Sequence, residues 1–182
     1  MKNLKIRSFK KLAFWHGISI ISQKQGIYLS KLIQATNPKK VLEIGTGIGY
    51  SLGFINISAP KNSRIVSLEY AYQLNTFVRR LFPNWIKNGR ISLVRADAFE
   101  YLIKTPEKFD FVFFDSAPSD FAKFLVLLEN DHLTKDAVLV ARLKKGTGYL
   151  MSNYLQIVQD SKKYQTEYKD FGKEIFIVSK IK

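Results

Sequence analysis

The sequence has no cysteine, which excludes a disulfide framework, a thiolate metal site and a thiol nucleophile. No apolar run approaches the roughly 18 residues of a membrane-spanning helix. The opening 22 residues are basic and then apolar in the manner of a signal peptide. However, His16 and Gly17 break the apolar part, and no small-residue cleavage site follows. A cytoplasmic location is expected. The chain also lacks repeats, low-complexity tracts and any linker long enough to divide it. Residues 1–182 are therefore expected to form a single domain, with a basic helical segment at 1–38 and an α/β core at 39–182.

Acidic residues are missing from the first forty positions, which hold nine Lys or Arg. The net charge is +5 over 41–96, −5 over 97–136 and +5 over 137–182, giving +14 for the whole chain. A basic leading segment thus faces a carboxylate-rich middle. This is either a solvated surface or an attraction to a polyanion such as RNA, an acidic substrate or a membrane surface.

Short apolar runs at 40–44, 64–68, 91–95, 109–114 and 136–141 read as buried strands. Helical patterns fill 49–58, 71–82, 97–104, 118–130 and 147–162, and Pro83 is expected to stop the second of these. Ahead of the first strand, 22–40 reads as an amphipathic helix with Ile27, Leu29, Leu32 and Ile33 on its apolar side, closed by Asn37-Pro38. Two further strands, 164–171 and 173–180, flank a turn at Gly172. The alternation predicts an α/β fold: a doubly wound, mostly parallel seven-stranded sheet with an antiparallel C-terminal hairpin. In such sheets ligands bind at the carboxyl ends of the strands.

Glycine is sparse, ten in all, yet Gly45, Gly47 and Gly49 crowd into VLEIGTGIGYS behind the first strand. The spacing departs from the dinucleotide fingerprint, since position 50 is Tyr. Such a loop lets a ligand approach the backbone at a helix N-terminus. Acids accompany the strand ends: Glu69 after the second, Asp97 after the third, Asp115 after the fourth, and Glu43 within the first. Glu69 is suited to accept from ribose hydroxyls and Asp97 from an adenine amino group, or Asp97 is a helix N-cap. Four acids in a basic protein favour a positively charged ligand, such as a sulfonium or α-ammonium group, over a pyrophosphate.

VLEIGTGIGYS, IVSLEY, ADAF and FDFVFFD, in this order and spacing, resemble the motifs of class I S-adenosylmethionine-dependent methyltransferases. Within that class the chain is most similar to the caffeoyl-CoA and catechol O-methyltransferase-like family. Gly26, Tyr28, Leu29 and Leu32 match a further motif of that family. The resemblance implies a Rossmann-like fold and S-adenosyl-L-methionine as cofactor. It implies that Gly45, Gly47, Gly49 and Ser51 hold the methionine part, that Glu69 binds the ribose, and that Asp97 and Ala98 border the adenine. It places Asp115 near the cofactor amino group and the reacting methyl.

The resemblance fails at the acceptor side. The family's divalent metal is held by the acid after the fourth strand and an Asp-Asn pair ending the fifth. Here Arg142 and Leu143 stand in place of the pair, and Pro118 stands where the family often has a basic lysine. Magnesium needs oxygen donors, so no metal is expected. Asp115 and Arg142 are the candidate catalytic residues: Arg142 either replaces the metal's charge beside Asp115 or forms a structural ion pair with it. His16 is either a base or a surface residue. The expected function is O-methyl transfer to an unidentified acceptor, for which the basic charge makes an anion a candidate. The alternatives are an RNA methyltransferase that uses the basic N-terminal segment, or a non-catalytic cofactor-binding module. Leu4, Ile6, Leu12, Phe14 and Trp15 could instead pack against a second subunit in an oligomer.

Overall fold

The structure, a computed structural model, describes residues 6–15 and 17–182. His16, Leu4, Lys2 and Lys5 lie outside the described residues, as do the side chains of Ile6, Arg7 and Lys10. Among the described residues no helix is long and apolar enough to cross a membrane.

Helix α1 (Ile6–Trp15) precedes an irregular segment at 18–21. Helix α2 (Gln23–Thr36) starts with a reciprocal capping box between Ser22 and Gln25 and ends at Asn37, whose φ of 48° is left-handed. Gln25, Gly26, Leu29 and Ile33 form its buried face. Ile27 does not join them and is 47% exposed, because two positions along a helix turn a side chain about 200° from Leu29. Gly26 is needed for packing: a Cβ there would meet the Phe54 ring at 2.4 Å.

The chain then alternates through β1 (Lys40–Ile44), α3 (Tyr50–Ser58), β2 (Arg64–Leu68), α4 (Tyr72–Leu81), α5 (Pro83–Lys87), β3 (Ile91–Val94), α6 (Ala98–Lys104) and β4 (Phe109–Phe114). A 3-10 turn (Pro118–Asp120) leads into α7 (Phe121–Asp131) and β5 (Leu133–Lys144). A second 3-10 turn (Gly148–Met151), α8 (Ser152–Val158), β6 (Tyr164–Asp170) and β7 (Glu174–Ile181) complete it. Pro83 opens a short helix as well as following one, since its missing N–H costs nothing in a first turn. The helix expected at 147–162 is shorter and begins as the 3-10 turn. Strand β5 is longer than expected. Asp136 takes a left-handed φ of 64°, and the β4–β5 register shifts between Phe109 and Phe111, so Leu133 regains a partner in Phe109.

All seven strands form one sheet in the order β3-β2-β1-β4-β5-β7-β6. The first five are mutually parallel, and β7 runs antiparallel to both β5 and β6. Alternate residues feed two apolar layers. Val41, Ile65, Phe111 and Phe113 join the layer containing Leu29, Ile33 and Phe54. Leu42, Val66, Val112 and Phe114 join the layer containing Leu102, Leu125 and Tyr154. The Phe-rich run around β4 is therefore core, as its composition predicts. Chain order reverses between β1 and β4, and this switch point leaves a crevice beyond their carboxyl ends.

Candidate functional site

A cleft of about 520 Å³ fills that crevice. Its walls are residues 18–21, 44–47, 50–51, 68–70, 96–98 and 115–117, with Leu74, Asp120 and Phe124 at the margins. Gly45, Gly47, Ser51, Glu69, Asp97, Ala98 and Asp115 thus come together from five separate stretches, as the sequence predicts.

The glycines divide by cause. At Gly45 (φ 98°) a Cβ would lie 2.5 Å from the Asp115 carbonyl oxygen, so this glycine lets the chain after β1 cross the chain after β4. What presses on its backbone is the protein itself. Gly47 (φ 53°) donates its N–H to Glu69 Oε2 at 2.7 Å. Gly49 (φ 82°) caps α3, faces Val78 and does not line the cleft. Gly45→Ala combines overpacking against a carbonyl with a backbone forced out of its allowed region. We expect a loss of about 2–4 kcal/mol, measured by urea denaturation. A loss below about 0.5 kcal/mol, the scatter of surface substitutions, would contradict this packing.

Glu69 is pinned. Its Oε2 takes the Gly47 N–H, and Oε1 takes the Ala71 N–H at 2.9 Å. Further lone pairs on both oxygens are free to accept from a ligand. Asp97 is the N-cap of α6, its Oδ1 accepting from Phe99 and Glu100 N–H groups at 2.8 and 3.2 Å. Its place on the cleft wall leaves Oδ2 for a second role.

Glu43 lies under the cleft rather than on its wall, fully buried in the central strand. Burial pushes its carboxyl up to about 8 from 4.5, against the lowering influence of the Ser51 and Ser67 hydroxyls; Asp115 and Glu69 add to the rise. Ser67 donates to Oε2 at 2.5 Å. Ser51 does not reach hydrogen-bond geometry, and Oε1 has no partner among the described residues. Glu43 is therefore not a standing negative charge at neutral pH; of the four strand-end acids, Glu69, Asp97 and Asp115 reach the cleft, where Asp120 joins them.

Arg142 reaches Asp115, but not as a free cation. One terminal nitrogen donates to Asp115 Oδ1 at 2.8 Å and the Ser19 carbonyl at 3.3 Å. The other donates to Glu174 Oε1 at 2.6 Å, Ser19 Oγ at 2.7 Å and the Ile20 carbonyl at 3.1 Å. Those five bonds share the four hydrogens of the two terminal nitrogens, so neither of these nitrogens is left free to fix an acceptor. The guanidinium instead clamps segment 18–21 across the end of the sheet. Burial still holds the Asp115 carboxyl up, at about 6, although Arg142 pulls it down; Glu174 adds to the rise.

A metal at Asp115 does not fit this arrangement: Arg142 holds Oδ1 of Asp115, and neither Arg142 nor Leu143 offers an oxygen donor beside it. Among the described residues no cluster of three or more His, Asp or Glu could hold a metal ion. The cleft has polar features that the sequence reading missed. Tyr50 Oη and Ser116 Oγ are buried in its wall without hydrogen-bond partners. Buried polar atoms are rarely left so; both are closed to solvent and lie behind the cleft surface. Tyr50 sits inside the GYS motif, which was the available signal; nothing in the sequence singles out Ser116.

A profile of the O-methyltransferase family matches residues 1–145. The chain belongs to the O-methyltransferase family. Curated relatives include catechol O-methyltransferase B of Danio rerio, 27% identical over 81% of this chain and 58% of its own length. The catechol O-methyltransferase of Niastella koreensis is 26% identical over 57% of this chain and 49% of its own length. The chain spans about half the length of the curated relatives it matches. Among solved structures, the O-methyltransferase from Bacillus cereus in complex with SAH superposes with a TM-score of 0.84 at 18% identity, covering 97% of this chain and 90% of that one. The O-methyltransferase TomG from Streptomyces achromogenes, in complex with SAM, gives 0.82 at 17% identity, covering 93% and 85%. These likenesses establish the family's fold for this chain, including the reversed last strand.

Proposed function

We propose that this protein is an S-adenosylmethionine-dependent methyltransferase acting on an acceptor oxygen without a metal at Asp115. The observation that carries the reading is the pinned Glu69 carboxylate on the wall of a cleft at the switch point of a sheet from this family. The cofactor supplies a methyl group already activated on a sulfonium. Glu69 would accept from its ribose hydroxyls, Asp97 and Ala98 would border its adenine, residues 45–47 with Ser51 would hold its methionine part, and Asp115 would hold its amino group. The volume of the cleft lies within the usual range of about 300–1,000 Å³ for such sites. Catalysis rests on alignment of the acceptor with the donor. Arg142 is a positioning residue that holds Asp115 and segment 18–21 in place.

RNA is the alternative acceptor class. The acid-free leading segment carries Phe14 and Trp15, 81% and 75% exposed, just ahead of the cleft-lining residue Ile18. Stacking of a base on such a ring adds about 1–3 kcal/mol, and phosphate contacts make affinity fall with salt. The same aromatics would otherwise pack against a second subunit. Labelled S-adenosylmethionine, incubated with total RNA and with a panel of phenols in the presence of a chelator, tests the function. Transfer to one acceptor class that survives the chelator is expected. No transfer to either class, or strong stimulation by magnesium, would refute the metal-free assignment. Deletion of residues 1–11 should weaken RNA binding without changing oligomeric state. For the cofactor site, Glu69→Ala should weaken S-adenosylhomocysteine binding by about 1–3 kcal/mol, read by calorimetry. Unchanged affinity would remove Glu69 from the site.

A further inference from the structure

Helix α1 is fastened to the domain by one face. Phe9 and Ala13 are buried, and the Phe9 ring packs against Tyr50 and Phe82 with centroids 5.3 and 6.0 Å away. Leu12 is partly buried against the same layer. The end of the helix is equally fixed. Gly17 (φ 63°) donates its N–H to the Phe14 carbonyl at 3.2 Å, and Ile18 donates to the Ala13 carbonyl at 2.8 Å. Together these bonds make the Schellman closure of a helix C-terminus. Ile18 lines the cleft, so the last turn of α1 stands at a set place beside it.

The opposite face points outward. A helical repeat of about 3.6 residues puts positions 9, 12 and 13 on the buried side and positions 7, 10, 11, 14 and 15 on the other. The sequence there is Arg, Lys, Lys, Phe and Trp. Lys11, Phe14 and Trp15 are all exposed. Two large aromatics side by side in water are unfavourable. The packing of Phe9 and the closure at Gly17 hold the helix so that neither ring turns inward.

Three partners could cover this face, and the geometry separates them. The rings stand edge to face, with centroids 6.4 Å apart and planes at 78°, and neither lines the cleft. A single strand of RNA is held along a groove with open ring faces, which this helix end does not offer. A second copy of the chain in a two-fold contact would bring two basic, acid-free segments together. An anionic lipid surface suits both features at once. Aromatic side chains settle at the headgroup level, and Lys and Arg are drawn to the lipid phosphates. Nine cations and no acid in the first forty residues supply charge of the matching sign.

We propose that the outward face of α1 docks this protein on an anionic lipid surface, with Phe14 and Trp15 entering the headgroup region and Lys11 meeting the phosphates. Because Ile18 is tied to the same helix end, docking holds the cleft at the lipid surface. The proposal does not depend on the methyl-transfer reading.

The test floats the full chain with vesicles of phosphatidylcholine, alone or carrying about one third phosphatidylglycerol, at low and high salt. Binding to the anionic vesicles should be tenfold or more tighter than to the neutral ones, should fall with salt, and should shift tryptophan emission to the blue. Both rings lie off the packed face, so Phe14→Ser/Trp15→Ser should keep its urea midpoint and its S-adenosylhomocysteine affinity. That variant should lose the emission shift and weaken anionic-vesicle binding tenfold or more. No preference for anionic vesicles, or a preference that survives the double variant, overturns the docking. So does tighter binding of a short oligouridylate that the double variant loses, which assigns the face to RNA. A dimer in size-exclusion chromatography that the double variant splits also overturns it, and assigns the face to a second copy. S-adenosylhomocysteine binding without vesicle binding sinks the docking alone.

Discussion

Replacing Arg142 by Met should destabilise the protein by about 3–5 kcal/mol, the cost of removing one member of a buried ion-pair network. The side chains of Arg142 and Asp115 are 8% and 10% exposed, so water cannot take over the lost bonds. Asp115 and Glu174 would be left as facing carboxylates, and segment 18–21 would lose three of its anchors. The loss should also depend on pH. Asp115 already titrates near 6 with the guanidinium present, and without it the carboxyl moves higher. Below that value the group is neutral and the repulsion from Glu174 fades. The penalty should therefore be larger at pH 8 than at pH 5 when measured by urea denaturation. A small, pH-independent loss would mean that the network does not hold the end of the sheet.

Glu43→Gln should have an effect of similar size, but in the opposite direction and at high pH. The folded carboxyl sits at about 8, raised from 4.5 chiefly by burial. A raised carboxyl contributes stability that is fully present below its unfolded value and is lost as pH rises through its folded value. Each intervening pH unit is worth about 1.4 kcal/mol, about 5 kcal/mol in total. Glutamine keeps the acceptor for Ser67 and has no charge to bury. The two proteins should match within about 1 kcal/mol at pH 5, the scale of one net hydrogen bond. The variant should be the more stable by several kcal/mol at pH 9. Asp115 titrates in both proteins, so the difference between the curves reports Glu43 together with its coupling to Asp115. Parallel pH profiles would show that Glu43 is ionised in the fold.

The contrast between these two acids shows what the sequence made legible. The strands could be read because runs such as VLEI and FDFVFF are apolar on both faces, which only a covered central sheet tolerates. The last reversed strand could be read because Gly172 allows a tight turn, and the cleft because Gly45, Glu69, Asp97 and Asp115 each follow a strand. Solvation could not be read. Glu43 and Glu69 look alike in sequence, yet one is buried beneath Ser67 and the other is held open by two backbone N–H groups. The role of Arg142 was also hidden: its partners Ser19 and Glu174 lie 123 and 32 positions away. Gly45 was legible as a close approach, but not as an approach by the Asp115 carbonyl. Local rules alone placed Pro83 as a helix stop, although it also satisfies the first position of the next helix.

The most direct measurement is an isothermal titration of the full chain with S-adenosylhomocysteine, run in parallel with NAD and in the presence of a chelator. The account predicts saturable one-to-one binding of S-adenosylhomocysteine, unaffected by the chelator and weakened by Glu69→Ala, with no comparable binding of NAD. Absence of S-adenosylhomocysteine binding, or tighter binding of NAD, would contradict it.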